Sequence, residues 1–243
     1  MIVLFTDFGA DDIYVGQLKA ALLDRLAAST LVVDLLHSVP NHHVRAGAHL
    51  LAALQSRFPA GAVFVAVVDP GVGTSRDAVV LQADDKWYAG PDNGLLSVVS
   101  ARAARTRTWR IVWRPPAMSA SFHGRDLFAP VAASIASGNL PADELQEIDG
   151  LNVQLGPEDL AEVIYIDHYG NALTGLRAKA LARTASIAAR GHRVPYARVF
   201  ADAPKSSAFW YENSIGLVEL AVSRANAAAM LGIEVGDPVT IVA

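Results

Sequence analysis

The sequence predicts an α/β protein with a mostly parallel, helix-covered sheet in its N-terminal part and a smaller β-rich domain after it. Hydrophobic residues make up 52% of the 243 residues and charged residues 18%, which is enough apolar material for a sizeable core. Up to about Gly150, short runs that are apolar throughout alternate with longer segments of helical spacing. After Gly150 the chain changes to short strand patterns separated by glycine and proline. We therefore expect two domains, 1–155 and 156–243, with the boundary between 150 and 160.

The N-terminal part is predicted to begin with three buried strands and two connecting helices. Each strand is an apolar run, and the helices carry apolar residues at helical spacing. The expected strands are 2–5, 31–35 and 62–68, and the expected helices are 13–27 and 42–58. Two further strands, 78–82 and 87–89, and two further helices, 95–104 and 128–137, are expected before the boundary.

The C-terminal part is predicted to consist of short strands with few helices. The turns between them contain glycine or proline, for example at Gly191. The expected strands are 163–167, 185–189, 194–197, 217–222, 225–231 and 239–242.

Composition argues against several classes of protein. The chain has no cysteine, which excludes disulfides and thiolate metal sites, and its seven histidines lack metal-ligand spacing, so no metal is expected. The net charge is −4, and the loose arginine cluster at 102, 105, 107 and 110 is typical of a solvated helix end and strand, so no nucleic-acid partner is expected. No apolar run approaches the ~20 residues of a membrane helix. The start MIVLFTDFG is typical of a first strand rather than a signal peptide. We expect a cytoplasmic protein without membrane association.

Two aspartates follow predicted buried strands. Asp7 comes after the first strand and Asp69 after the third. Ligands of open α/β sheets bind at the carboxyl ends of the strands, where a carboxylate can accept both hydroxyls of a ribose. An Asx turn or a helix N-cap explains Asp7 equally well on position alone.

Two polar clusters could carry chemistry. The first is the loop after Asp69, made rigid by Pro70, Gly71 and Gly73, in which Asp69 and Arg76 could form an ion pair across the loop or only close it structurally. The second is the run 121–126 at a helix start, which contains His123. Asp126 of that run is expected at a position typical of an N-cap, whereas His123 lies outside the helix.

Six motifs, in order from residue 6 to about 232, together resemble one family. They are Thr6-Asp7-Phe8-Gly9 with Asp12 and Tyr14-Val15-Gly16; Val68-Asp69-Pro70-Gly71-Val72-Gly73 with Arg76; Pro91-Asp92-Asn93-Gly94-Leu95-Leu96; Phe122-His123-Gly124-Arg125-Asp126-Leu127-Phe128-Ala129-Pro130; Ile166-Asp167-His168-Tyr169-Gly170-Asn171; and Asn213-Ser214-Ile215-Gly216 with Glu219. The set resembles the S-adenosyl-L-methionine hydroxide adenosyltransferases, which are relatives of the fluorinating and chlorinating adenosyltransferases.

The resemblance implies a fold, a reaction and site residues. The implied fold is an α/β domain followed by a small β-barrel-like domain, and the implied reaction is hydrolysis of S-adenosyl-L-methionine to adenosine and methionine. This molecule is the substrate, so no cofactor is implied. The resemblance also implies a homotrimer that holds the substrate between the first domain of one subunit and the second domain of its neighbour. The implied water-handling triad is Asp69, Arg76 and His123, the implied ribose ligand is Asp7, and the implied adenine and methionine ligands are Asp167, Tyr169, Asn171, Asn213, Ser214, Glu219 and Val222.

Two alternatives stay open at this point. A halide could take the place of water, as in the halogenating relatives, but those enzymes lack the histidine that corresponds to His123. The chain could also be a non-catalytic adenosine or S-adenosyl-methionine binder, although a binder has no need of a water-handling triad.

Overall fold

The computed structural model describes residues 1–243, and the chain divides into two compact units. One unit contains Met1–Leu51 and Gln55–Pro157, and the other contains Ala52–Leu54 and Glu158–Ala243. The predicted α/β fold class with a smaller β-rich part is confirmed. None of the helices combines the length and the apolar character that a membrane crossing requires.

The first unit is built on a sheet of seven strands. Its strands are β1 (Ile2–Thr6), β2 (Val32–Leu36), β3 (Val63–Val67), β4 (Ala78–Ala83), β5 (Lys86–Pro91), β6 (Thr106–Ile111) and β7 (Leu145–Ile148). The strands lie in the order β2-β1-β3-β5-β4-β6-β7. The pairs β1–β2, β1–β3 and β3–β5 are parallel, whereas β5–β4, β4–β6 and β6–β7 are antiparallel. The sheet is therefore parallel at one end and antiparallel at the other.

Helices flank this sheet and supply much of its core. They are α1 (Ile13–Leu23), α2 (Val44–Leu54), α3 (Ser97–Arg102) and α4 (Ala129–Ala136). Leu18 and Leu22 of α1 are fully buried in one cluster with residues of β1, β3 and α4. The carboxylate of Asp12 accepts a hydrogen bond of 2.6 Å from the Ile13 amide and caps α1. All five residues of β3 are buried, as expected for a parallel strand covered on both faces.

The second unit contains seven strands in two antiparallel sheets. The strands are β8 (Leu160–Ile166), β9 (Ala172–Arg177), β10 (Ser186–Ala189), β11 (His192–Val194), β12 (Ala208–Glu212), β13 (Leu217–Val222) and β14 (Val239–Val242). One sheet has the order β12-β13-β9-β8 and the other β11-β10-β14, so the strands do not close into a single barrel.

One element of the second unit differs in type from the prediction. The segment 225–231, predicted as a strand, contains the helix α5 (Ala227–Leu231). The Asn226 side chain accepts a hydrogen bond of 2.7 Å from the Ala229 amide, and Gly232 ends the helix with a left-handed φ of 62°. These two caps, together with a run of alanines, favour a helix where the apolar pattern alone favours a strand.

Candidate active site

Two neighbouring parallel strands bring the first two candidate residues to one edge of the sheet. Thr6 of β1 pairs with Val67 of β3, and Asp7 and Asp69 follow shortly after these two residues. The Asp7 amide donates a hydrogen bond of 3.3 Å to the Val67 carbonyl. The structure therefore places both aspartates at the carboxyl ends of parallel strands, where ligands of such sheets bind.

A continuous chain of hydrogen bonds joins Asp69, Arg76 and His123. The Arg76 guanidinium binds both carboxylate oxygens of Asp69, with Nε donating to Oδ1 over 3.0 Å and Nη2 donating to Oδ2. Nη2 also lies 3.0 Å from Nδ1 of His123. Only 5% of the Asp69 side chain and 10% of the Arg76 side chain are exposed, so solvent screens this pair little. In the predicted triad, Arg76 thus contacts both Asp69 and His123.

The loop after β3 reaches His123 because Gly73 has no side chain. Gly73 has a φ of +80°, and a β-carbon there would lie 2.7 Å from the carbonyl oxygen of Ala120. Thr74 closes the loop with a hydroxyl bond of 2.6 Å to the Gly71 carbonyl. The loop that carries Arg76 can therefore pass directly against the segment before His123.

His123 precedes a π-helical turn, Gly124–Phe128, that continues into α4. Single π-turns of this kind often occur at functional sites. The Asp126 side chain does not cap α4. Its carboxylate accepts two hydrogen bonds, of 2.6 and 2.9 Å, from the Arg125 guanidinium and one of 2.8 Å from the Ser119 amide. Asp126 therefore ties the 119–123 loop to the π-turn and holds the backbone around His123.

The environment of His123 fixes its protonation. Burial is the largest cause that lowers the pKa of His123 below its ordinary value of 6.5, and the adjacent Arg76 cation lowers it further. A guanidinium only donates hydrogen bonds, so Nδ1 of His123 must accept from Arg76. The neutral imidazole therefore carries its hydrogen on Nε2.

Asp7 and His123 line one cavity of about 490 Å³, together with Asp69. This volume is in the range of small-molecule sites. Burial raises the pKa of Asp7, partly opposed by a hydrogen bond of 3.5 Å from the His42 amide. His42 has a left-handed φ of 65°, and it lines the cavity although sequence reasoning did not select it. His42 and His43 are adjacent in the sequence, and no periodic pattern there indicates which of the two faces the cavity.

In the second unit, Asp167 and Asn171 hold each other in the turn between β8 and β9. Oδ1 of Asp167 accepts hydrogen bonds of 2.9 Å from the Tyr169 amide and 2.8 Å from the Asn171 amide. Its Oδ2 accepts a hydrogen bond of 3.0 Å from the Asn171 side chain. The Tyr169 ring is 75% exposed. The turn is therefore rigid at its base and presents an aromatic ring at its tip.

Glu219 and Asn213 are joined in the same way around the turn between β12 and β13. Glu219 is 5% exposed. One carboxylate oxygen accepts a hydrogen bond of 2.5 Å from the Tyr211 hydroxyl, and the other accepts one of 3.0 Å from the side-chain amide of Asn213. Oδ1 of Asn213 accepts from the amides of Ile215 and Leu217. Burial raises the pKa of Glu219. Glu219 thus stabilises the turn that contains Ser214.

A second cavity, of about 520 Å³, lies in the second unit and brings three predicted residues together. They are Tyr169, Asn171 and Val222. Phe200 and Arg224 also line it, and sequence reasoning missed both because they lie outside the quoted motifs. Arg224, with a φ of 59°, lies two residues after the end of β13 and supplies a cation at the cavity wall.

The chain is similar to the proteins of one family over most of its length. Residues 2–146 match the SAM hydroxide adenosyltransferase N-terminal domain, and residues 161–240 match the C-terminal domain of the same family. The chain is 37% identical to the (R)-S-adenosyl-L-methionine hydrolase of Thermus thermophilus, over 99% of this chain and 98% of the relative. It is 40% identical to the enzyme of the same name from Salinispora arenicola, over 98% of this chain and 96% of the relative.

The chain is also similar to a fluorinase of lower sequence identity and to a protein of known crystal structure. The fluorinase of Nocardia brasiliensis is 25% identical, over 99% of this chain and 96% of the relative. A crystal structure of an uncharacterized conserved protein from Thermotoga maritima superposes with a TM-score of 0.88 at 30% identity, covering 100% of both chains. The two matched domains together span most of the sequence, and the chain belongs to the SAM hydroxide adenosyltransferase family.

Proposed function

We propose that this chain hydrolyses S-adenosyl-L-methionine to adenosine and L-methionine by in-line attack of water or hydroxide on the 5′ carbon. The family and the shared name of relatives at 37–40% identity support this reaction. The observation that carries the proposal is the hydrogen-bonded Asp69–Arg76–His123 chain beside the cavity that Asp7 lines.

The chemistry needs little help at the leaving group. The nucleophilic oxygen forms a bond to the 5′ carbon while the carbon–sulfur bond breaks, and its electron pair returns to sulfur, so methionine leaves as a neutral thioether. With hydroxide as the nucleophile the two opposite charges cancel in the transition state, and no proton remains to be removed. With water, one proton leaves the new 5′ hydroxyl group. The protein must therefore position the oxygen and keep it poorly solvated.

His123 acts in this proposal as a hydrogen-bond donor to the nucleophile. Its Nδ1 is occupied by Arg76, so the neutral ring offers Nε2–H and not a free lone pair. A donor stabilises the hydroxide form of a bound water more than the neutral form, because hydrogen bonds to charged groups are stronger. The lowered pKa of His123 keeps the ring neutral at physiological pH.

Asp69 and Arg76 position this donor. The carboxylate holds the guanidinium at two points, and the guanidinium holds the imidazole at a third. Asp69 also lines the cavity, where it is the nearby acceptor for a proton released when water attacks.

The substrate-binding roles are proposals of the same kind. Asp7 would accept the ribose hydroxyls, and the second unit would supply adenine and methionine contacts. Tyr169, Asn171 and Val222 line a cavity and are offered as direct contacts. Ser214, in the turn between β12 and β13, is offered as a further contact on the resemblance alone. Asp167, Asn213 and Glu219 already bind protein groups, so we propose that they shape these turns in addition to any contact with the substrate.

The direct experiment is incubation of the purified protein with S-adenosyl-L-methionine in water enriched in ¹⁸O, with and without chloride or fluoride. We expect adenosine that carries ¹⁸O at the 5′ position, together with methionine, in amounts that halide does not change. His123→Ala is the matched control and should form far less product. A 5′-halogenated nucleoside as the main product would favour the halide reaction, and tight binding without any product would favour a binding protein.

We further propose that the chain forms a homotrimer in which neighbouring subunits complete each substrate site. The support is the family, together with the separation of the candidate residues into two units, with His123 in one and Ser214 in the other. Co-refolding of two inactive variants, His123→Ala and Ser214→Trp, should restore part of the activity, because some pairs of subunits then contribute two intact halves. Light scattering must show mixed trimers, and mixed trimers without activity would place each site within one subunit.

A further inference from the structure

Three aromatic side chains form a contiguous wall in the cavity of the first unit. Phe8, Tyr14 and Phe122 all line it, and their ring centroids lie 5.5 to 6.1 Å apart in tilted or edge-to-face pairs. Tyr14 is 43% exposed, and the other two rings are half-buried. The aromatic wall (Phe8, Tyr14 and Phe122) thus presents ring surface to the cavity, and Phe8 also packs against the core of the first unit.

The wall lies next to the residues that the proposed function assigns to the reacting end of the substrate. Phe8 directly follows Asp7 in the chain, and Phe122 directly precedes His123. A β-carbon at Gly124 would come within 3.1 Å of the Phe8 ring, so the glycine allows this ring to take its place beside the turn. The wall therefore borders the space between the proposed ribose ligand and the proposed water-binding imidazole.

The substrate carries its positive charge close to that space. A sulfonium bears three carbon substituents and has no hydrogen to donate, so hydrogen-bond acceptors recognise it poorly. The negative face of an aromatic ring attracts such a cation without hydrogen bonds. Phe122 already receives the Arg125 guanidinium at 5.0 Å, and the charge of Arg125 is balanced by its two hydrogen bonds to Asp126.

We propose that the aromatic wall recognises the sulfonium charge and so selects S-adenosyl-L-methionine over neutral thioethers. This inference rests on the proposed function. The charge disappears when the carbon–sulfur bond breaks, so the wall holds the substrate more tightly than the methionine product and favours product release. Because the attraction is strongest before reaction, the wall contributes to substrate binding and not to acceleration of the chemical step.

Tyr14 provides the cleanest test because it is exposed and lies in the first turn of α1. Calorimetry on the full-length protein compares three non-reacting ligands: adenosine, S-adenosylhomocysteine, which is a neutral thioether, and the analogue that carries an ammonium group in place of the sulfonium. In Tyr14→Leu we expect the preference for the ammonium analogue over S-adenosylhomocysteine to fall by roughly three- to tenfold. Tyr14→Phe keeps the ring and should keep the preference. With the natural substrate, Tyr14→Leu should raise KM more than it lowers kcat.

The possible outcomes separate this inference from the proposed function. Equal loss of affinity for all three ligands would assign the wall to the adenosyl group, and unchanged affinities would remove it from recognition; either result overturns the inference. Phe8→Leu repeats the test from the other side of the wall if Tyr14→Leu fails to fold. Adenosine release by the wild-type protein is measured separately. A wild-type protein that prefers the charged analogue but releases no adenosine would contradict the proposed function and leave this inference standing.

Discussion

Replacement of His123 gives the most direct test of the proposed reaction. His123→Ala removes the Nε2–H donor and leaves the Asp69–Arg76 pair in place, because that pair has two hydrogen bonds of its own. His123→Gln keeps a side-chain N–H donor at about the reach of Nε2 but cannot become a cation. The two variants therefore separate hydrogen-bond donation from every other property of the imidazole.

The magnitude follows from the type of bond that is lost. A hydrogen bond to a charged acceptor contributes about 1.5 to 3 kcal/mol. If His123 donates to a developing hydroxide, its loss should lower kcat by roughly 10- to 150-fold, since 1.4 kcal/mol corresponds to tenfold. KM should change little, because the imidazole is proposed to touch the water and not the adenosyl group.

The pH profile supplies a second and independent readout. The pKa of His123 lies below 6.5, so the ring is neutral at neutral pH and becomes protonated only in acid. A protonated ring would place a hydrogen on Nδ1 against the Arg76 donor, so the activity should fall as the pH drops through this lowered pKa. Adenosine formation is followed by chromatography between about pH 5 and pH 9. His123→Gln should lose this acid limb.

Two results would refute this reasoning. An increase of KM with unchanged kcat in His123→Ala would assign the residue to substrate recognition. If His123→Gln is as slow as His123→Ala and the activity of the wild-type protein peaks where His123 is unprotonated, the ring would act as a base through Nε2. That outcome would require Arg76 to release Nδ1 during the reaction.

Three further predictions concern the surrounding structure. Asp7→Asn should raise KM about 10- to 100-fold, whereas a substrate analogue without ribose hydroxyls should bind the variant and the wild-type protein equally. Since the pKa of Asp7 is raised, the affinity of the wild-type protein for its substrate should fall as the pH drops through that pKa. Gly61→Ala, with a φ of +77° and open space, should lower the free energy of unfolding by about 1 kcal/mol in denaturant titrations. In Gly73→Ala the new β-carbon would collide with the Ala120 carbonyl, so the free energy of unfolding should fall by about 1 to 3 kcal/mol more than in Gly61→Ala, and most of the activity should be lost. Equal losses of stability at the two glycines would contradict the close approach at Gly73. Glu219→Ala should lower the free energy of unfolding by about 2 to 3 kcal/mol, since it leaves the buried Asn213 amide group and the half-buried Tyr211 hydroxyl without their acceptor. An unchanged unfolding midpoint would show that water replaces the carboxylate.

The sequence predicts the first unit well because its core strands are buried on both faces. Every residue of β1 and of β3 is buried, and Asp7 and Asp69 lie just beyond the carboxyl ends of these strands. Strand β7 was not predicted, because the exposed Gln146 and Glu147 interrupt its apolar sequence. Strand β12 was not predicted either, although four of its five residues are apolar or aromatic.

Strand β9 was missed for a different reason. Gly175 interrupts its pattern, yet a β-carbon there would lie 2.6 Å from both the carbonyl oxygen and the β-carbon of Leu160. The glycine is therefore a condition for the pairing of β9 with β8. A rule that treats glycine only as a strand breaker cannot recognise a position where a neighbouring strand approaches this closely.

Membership of a site could be inferred from motifs, but the chemical role of its side chains depends on hydrogen-bond direction. The sequence places an aspartate, an arginine and a histidine in suitable loops and leaves open whether the histidine accepts or donates a proton. Arg76 removes this choice, because a guanidinium can only donate and it occupies Nδ1 of His123. An imidazole whose remaining nitrogen carries the hydrogen favours an anionic oxygen over a neutral one. The arrangement of the three side chains therefore favours hydroxide as the nucleophile that attacks the sulfonium substrate. In a poorly solvated cavity the reaction of a hydroxide with a positively charged electrophile is favoured, because their opposite charges cancel as the bond forms.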